Sequence, residues 1–207
     1  DLYKRQHITN PEPIAQLLHG LREDERLGIL HTDNGNPSII AQNLEESEEI
    51  TKTLVETLSD GAVLSFGLES ADPSVHEANW LNCDPAQLKS AIRLINKYGR
   101  ERGERGLPKL LPGLNFIAGL NGESAATYQM NLDLLHEIRR EGLLLRRINI
   151  RQVEGECFQA IPQKEVNSYK RISETPATDP FLKHYFTLVT SLPYRHCDRI
   201  SAGRHRT

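Results

Sequence analysis

The residues with most chemistry to offer fall in two short stretches, FGLESADP at 66–73 and FIAGLNGES at 116–124. Each follows an apolar run of strand length, turns on glycine, and shows one carboxylate and one hydroxyl before helical sequence resumes. Glu69 and Ser70 set an acceptor beside a donor, which suits a hydroxyl-rich ligand such as a ribose. The plainer alternative is that Glu69 caps the following helix or holds a surface lysine; its loop position and glycine framing favour the ligand. In the second stretch Gly119 and Gly122 let backbone approach a ligand, and Glu123 stands at a helix start beside free N–H groups, although an ordinary strand-to-helix turn uses glycines too. A third group, Arg147, Asn149 and Arg151, alternates along a strand-like run, so the three share one face. Two inward arginines require anionic partners, whether Glu123, Glu69 or a ligand carboxylate. His31, Asp33, Asn34 and Asn36 make a polar mouth, read as hydrogen bonding within a turn because the further ligands of a metal site do not follow.

The elements that must position these groups alternate helix and strand from Asn10 onward, the pattern that builds a parallel sheet. Asn10 and Pro11 start a helix whose apolar face is Ile14, Leu17, Leu18 and Leu21, and residues 27–30 read as a first strand ending in the polar loop 31–37. The acidic run 45–49 opens a second helix, with Ile50, Leu54 and Leu58 inward, and residues 62–66 form the next strand. Asp84, Pro85 and Gln87 cap a third helix carrying Leu88, Ile92 and Ile95. A Gly-, Arg- and Pro-rich connection over 99–112 leads to a strand at 114–118. A helix with Tyr128, Leu132, Leu135 and Ile138 inward follows, and residues 143–150 make a fourth strand. The fold class is therefore α/β, built from parallel βα units, with loops gathered at the carboxyl ends of the strands so that two of them face one ligand. Four units do not close a barrel, which leaves an open sheet or the later part of a barrel begun upstream. Residues 1–153 form this domain, and 154–207 read as a divergent tail, irregular or helical, with a basic end.

With 25 Lys and Arg against 28 Asp and Glu, a net charge of −3 gives no general pull toward nucleic acid or acidic lipid, so a small-molecule ligand is expected. Neither a membrane-length apolar run nor a signal-peptide pattern is present, and a cytoplasmic protein is expected. Cys83, Cys157 and Cys197 are far apart, in neither a disulfide framework nor a zinc or cluster motif.

Four blocks carry a likeness: LHTDNGNPSIIA at 30–41, FGLESADPSVHEANWLN at 66–82, GLPKLLPGLNFIAGLNGES at 106–124 and LLRRINIRQV at 144–153. Over about residues 10–153 the chain resembles the later part of a radical S-adenosylmethionine enzyme, in particular an archaeal branch whose full-length members end in a helix-hairpin-helix region. The resemblance implies a partial (β/α)6 or TIM-like barrel, of which these strands are the third to sixth. It also implies S-adenosylmethionine chelating one iron of a four-iron, four-sulfur cluster and cleaved to a 5′-deoxyadenosyl radical. On this basis Glu69 and Ser70 match the position that contacts ribose and methionine, and the stretch from Asn115 through Gly119 to Glu123 supports the adenine and methionine end. Arg147, Asn149 and Arg151 stand near cofactor and substrate, and Asn34 and Asn36 join the cofactor-binding candidates. The family's Cys-x3-Cys-x2-Cys loop and its glycine-rich second-strand motif are absent, so the expectation is a fragment, inactive alone, without metal ligands and lacking the N-terminal barrel half. A non-catalytic half-barrel scaffold is the second reading. A third is an ordinary barrel enzyme using Glu69 and Glu123 as acid and base, against which stands the expectation that nearby arginines lower carboxyl pKa values.

Overall fold

The computed structural model describes residues 9–153. The order of elements is α1 (Pro11–Arg22), β1 (Asn34–Gly35), α2 (Pro37–Gln42), α3 (Leu44–Thr57), β2 (Ala62–Glu69), α4 (Pro73–Asn79), α5 (Pro85–Gly99), β3 (Leu110–Ala118), α6 (Ala125–Arg140) and β4 (Arg147–Gln152). All neighbouring strands pair in parallel in one sheet of order β1-β2-β3-β4. The α/β class with parallel βα units read from the sequence is the architecture observed, and none of the described helices is long and apolar enough to cross a membrane. Residues 154–207, assigned to the tail, lie outside the described residues.

Strand alternation divides the sheet into two unlike faces. Leu64, Phe66 and Leu68 of β2 and Leu114 and Phe116 of β3 are buried on one face, where α5 packs on both strands through Leu88, Ile92 and Ile95. Complete burial of such side chains stabilises by about 1.5–3 kcal/mol each. α5 opens on the expected capping box: Asp84 accepts from the Gln87 N–H at 2.8 Å, and the Gln87 side chain accepts from the Asp84 N–H at 3.2 Å. The opposite face carries Val63, Ser65, Gly67 and Glu69 of β2 beside Leu111, Gly113, Asn115 and Ile117 of β3 and Arg147, Asn149 and Arg151 of β4. It is polar and for the most part half-exposed.

The first strand is a correction. Residues 27–30 are not a strand and do not pair with β2; the ladder partner of β2 is Asn34–Gly35, with the Ser65 N–H donating to the Asp33 carbonyl. The apolar run is tied elsewhere, since Leu30 donates to Ser59 Oγ and accepts from the Ser59 N–H, and Ile29 is left exposed. The short helix α2 follows the polar loop, in a stretch to which the sequence reading assigned no element, and is capped by Asn36. β3 begins at Leu110, inside the expected connection. Pro112 fits there because its missing N–H falls ahead of β4, which enters the ladder only opposite Gly113. β4 starts later than expected, because the Leu143 N–H is taken by the Ile138 carbonyl and the Leu144 N–H by Asn96 Oδ1.

Candidate functional site

Glu69 ends β2 at a bulge, with a left-handed φ of 69°. A carbon atom placed at the Cβ position of Gly67 would lie 2.5 Å from Glu69 Oε1, so glycine there gives the carboxylate its place above the strand. Burial raises the Glu69 pKa, against the nearby charge of Arg151, which lowers it. The expected lowering by arginines is therefore corrected: Arg151 is exposed, and desolvation outweighs its screened attraction. A non-glycine residue held in the left-handed region, with a desolvated carboxyl, is the kind of strain that gathers at functional sites.

Ser70 is corrected too. Instead of standing open beside Glu69 it is 0% exposed, and its Oγ accepts from the Asp72 N–H at 3.2 Å. Its turn belongs to a buried network that the sequence reading passed over. Asn131 Oδ1 accepts from the Ala71 N–H at 2.6 Å, and Thr127 Oγ1 donates to Asp72 Oδ2 at 2.5 Å. Desolvation pushes the Asp72 carboxyl up, but hydrogen bonds from Thr127, the Ser74 side chain and the Ser74 and Val75 N–H groups together hold it below its usual value. The buried face of α6 is Thr127, Asn131, Leu134 and Ile138, rather than the expected set led by Tyr128, Leu132 and Leu135. The signal available was the pair Thr127 and Asn131, four residues apart in line with Leu134 and Ile138.

The second loop folds on itself. Gly119, at φ 98°, donates its N–H to Glu123 Oε2 at 2.9 Å, and Tyr128 OH donates to the same oxygen at 2.8 Å, so Glu123 braces its own turn. The two βα loops are joined by a reciprocal pair: Asn79 Nδ2 donates to the Asn121 carbonyl at 2.8 Å, and the Asn121 N–H donates to Asn79 Oδ1 at 3.1 Å. Beside this pair Trp80 ends α4 with φ 56° and 93% of its surface exposed.

Below the loops the polar face is organised in rows across the strands. Arg147 Nη2 donates to Ser65 Oγ at 2.6 Å, passing over Gly113 of the intervening strand. Asn149 Nδ2 donates to Asn115 Oδ1 at 2.8 Å, in the row that includes Gly67. Arg151 stands in the next row, where its charge reaches Glu69. Asn34 donates to Asp33 Oδ2 at 3.3 Å at the β1 edge, whereas Asn36 Oδ1 is engaged by the Ser38 and Ile39 N–H groups as the α2 cap. The structure therefore gathers Asn34, Glu69, Asn115, Arg147, Asn149 and Arg151 on one face, and gives Asn36, Ser70, Gly119 and Glu123 roles within turns.

For metal the chemistry is unfavourable. Among the described residues there is no group of three side chains able to hold a metal ion. Cys83 is buried, and its thiol is pushed up to about 12, chiefly by desolvation and further by the charges of Asp84 and Glu69. Such a thiol stays protonated and is a poor ligand.

No protein-family model matches the chain. It is similar to proteins of two archaea. An uncharacterized protein of Methanocaldococcus jannaschii is 44% identical over 144 residues, covering 70% of this chain and 26% of that protein. One of Archaeoglobus fulgidus is 48% identical over 157 residues, covering 75% of this chain and 29% of that protein. The chain thus spans little more than a quarter of the curated relatives it matches. Among solved structures it is similar at 14% identity and a TM-score of 0.47 to the radical S-adenosylmethionine methyltransferase TsrM from Kitasatospora setae, solved with tryptophan substrate and a SAM analog bound. That match covers 68% of this chain and 23% of TsrM.

Proposed function

We propose that the chain is part of a radical S-adenosylmethionine enzyme and supplies contacts to cofactor and substrate from the polar face of a half-barrel. The observation that carries this reading is Glu69, held over Gly67 at the carboxyl edge of the sheet and facing Arg151, within sequence blocks that resemble that superfamily. The donor set suits S-adenosylmethionine. The Glu69 carboxylate, seated over Gly67, accepts from ribose hydroxyls or an ammonium, and a bound cation or donor lowers the cost of its burial. Asn115 and Asn149 offer amides to a purine edge, and Arg151 complements a carboxylate. S-adenosylmethionine supplies a sulfonium whose reductive cleavage yields an alkyl radical for hydrogen abstraction. The described residues do not fit an iron-sulfur cluster, since Cys83 is a buried thiol pushed up to about 12. In this reading the cluster's ligands belong to the remainder of a longer protein, like the archaeal relatives in length.

The deciding experiment is calorimetry with S-adenosylmethionine on that longer protein. Glu69→Gln removes a charge-assisted hydrogen bond worth about 1.5–3 kcal/mol, a roughly 10- to 100-fold loss of affinity. Unchanged affinity would reduce Glu69 to a strand-end brace. The absence of a ligand set among the described residues favours one second reading, a non-catalytic half-barrel that binds but does not react. Binding of S-adenosylmethionine without its cleavage under reduction would select that reading.

A further inference from the structure

The least satisfied group on the polar face is Arg147. Its Nη2 reaches Ser65 Oγ at 2.6 Å, but its Nε is shielded from solvent and has no hydrogen-bond partner. The carboxylate it faces, Asp33, is 3.9 Å away with its side chain 84% exposed, while the Arg147 side chain is 29% exposed. A guanidinium withdrawn this far from water normally has a close carboxylate, because desolvating an unpaired charge and leaving a donor empty both cost stability. The sequence preserves the arrangement at the position between the strands. A Cβ at Gly113 would come within 3.1 Å of Arg147 Cγ, 3.1 Å of Val63 Cγ1 and 3.2 Å of Ser65 Oγ, so a larger residue would crowd the crossing. A simple strut between β4 and β2 needs only the bond to Ser65. It does not account for the empty Nε, buried beside a counter-charge that is distant and exposed.

We infer that Arg147 and Ser65, which meet over Gly113, form an oxyanion subsite that takes a carboxylate or phosphate of the substrate. The Nε and Nη2 edge of a guanidinium binds the two oxygens of such a group side by side, and Ser65 Oγ adds a hydroxyl donor. A ligand oxyanion would supply the partner that Nε lacks and the negative charge that Asp33, at long range, supplies poorly. Arg147 and Arg151 are four residues apart on one strand, about 13 Å at about 3.3 Å per residue. The subsite is therefore separate from the rim group around Glu69, with the Asn115 and Asn149 amides between them. The inference rests on the reading that this face receives ligand, and not on any cluster.

The test is a side-chain NMR titration of the 207-residue chain with malonate and, separately, with inorganic phosphate. The Arg147 Nε–Hε resonance is identified by its loss in Arg147→Lys. It is expected to shift saturably with at least one anion, the preferred one naming the carboxylate or phosphate class. Ser65→Ala, a small change at a buried site, is expected to weaken that binding about tenfold, a change of about 1.4 kcal/mol. In the longer protein, Arg147→Lys is expected to weaken S-adenosylmethionine binding far less than Glu69→Gln does. A resonance indifferent to both anions, or one that moves only in step with that of Arg93, an exposed arginine of α5 paired with Glu141, would overturn the subsite. So would a loss of S-adenosylmethionine affinity in Arg147→Lys equal to that in Glu69→Gln, which would give Arg147 to the cofactor. Failure of Glu69→Gln alone would count against the cofactor reading and leave the anion titration to stand by itself.

Discussion

Glu69 combines a strained backbone with a carboxyl that burial pushes above its ordinary range. The sign of its contribution to stability follows. A carboxyl whose pKa is raised by folding costs nothing while it is protonated in both states, and penalises the folded state as pH climbs through the ordinary glutamate value of about 4.3 and beyond. Glu69→Gln is therefore expected to melt at a higher temperature than the parent near neutral pH and to converge with it in acid; equal melting temperatures at pH 7 would show that the group is not effectively desolvated. Gly67→Ala tests the same carboxylate from below. Its new methyl group would meet Glu69 Oε1 at 2.5 Å, and that oxygen, at the end of a flexible side chain, can move aside. The expected result is a small change in denaturation midpoint together with a loss of S-adenosylmethionine affinity in the longer protein comparable to that of Glu69→Gln. A large loss of stability would mean that the carboxylate cannot move.

At the scale of elements, the loop that presents Glu69 is held from beneath by α6 as well as by its own turn. Thr127→Val keeps the shape of the side chain but leaves buried Asp72 Oδ2 without its donor, and is expected to cost about 1–3 kcal/mol in denaturant unfolding. A loss below about 0.5 kcal/mol, the scatter of ordinary surface changes, would show that the contact is not formed in solution. The Asp72 contribution has the opposite sign from that of Glu69. A depressed carboxyl stabilises above its ordinary range of about 3.9 and loses that stabilisation as pH falls through the lowered value. The network also shows where sequence reading stops. The strands β2 and β3, the cap on α5 and the shared face of Arg147, Asn149 and Arg151 follow from apolar runs, cap residues and a period of two, all local signals. The inward turn of Ser70, the polar buried face of α6 and the two-residue β1 do not. Each depends on a partner 29 to 60 positions away that supplies a hydrogen bond, as Asn131 does for Ala71 and Ser59 for Leu30. Apolar residues at 27–30 looked like a strand because only burial separates a strand from an exposed apolar link, and burial is a property of the neighbours.

Among the described residues the sheet has two edges, a β1 of only two residues and β4. The chain spans little more than a quarter of its archaeal relatives, and in the proposed reading further strands of a longer protein complete the sheet. Cluster ligation needs several thiolates converging on one site. With Cys83 buried and protonated, anaerobic treatment of the 207-residue chain with iron and sulfide is expected to leave it colourless. The same treatment of the longer protein is expected to give a brown, oxygen-sensitive product. About four irons bound by the short chain would overturn that division, and none bound by the long one would favour the scaffold. Trp80 has a practical consequence for all such work, because it is the chain's single tryptophan and lies at the rim with 93% of its surface in water. Its fluorescence already reports a solvated indole in the folded protein, so unfolding will scarcely change the colour of its emission. A blue shift will instead signal that another surface has settled over the rim.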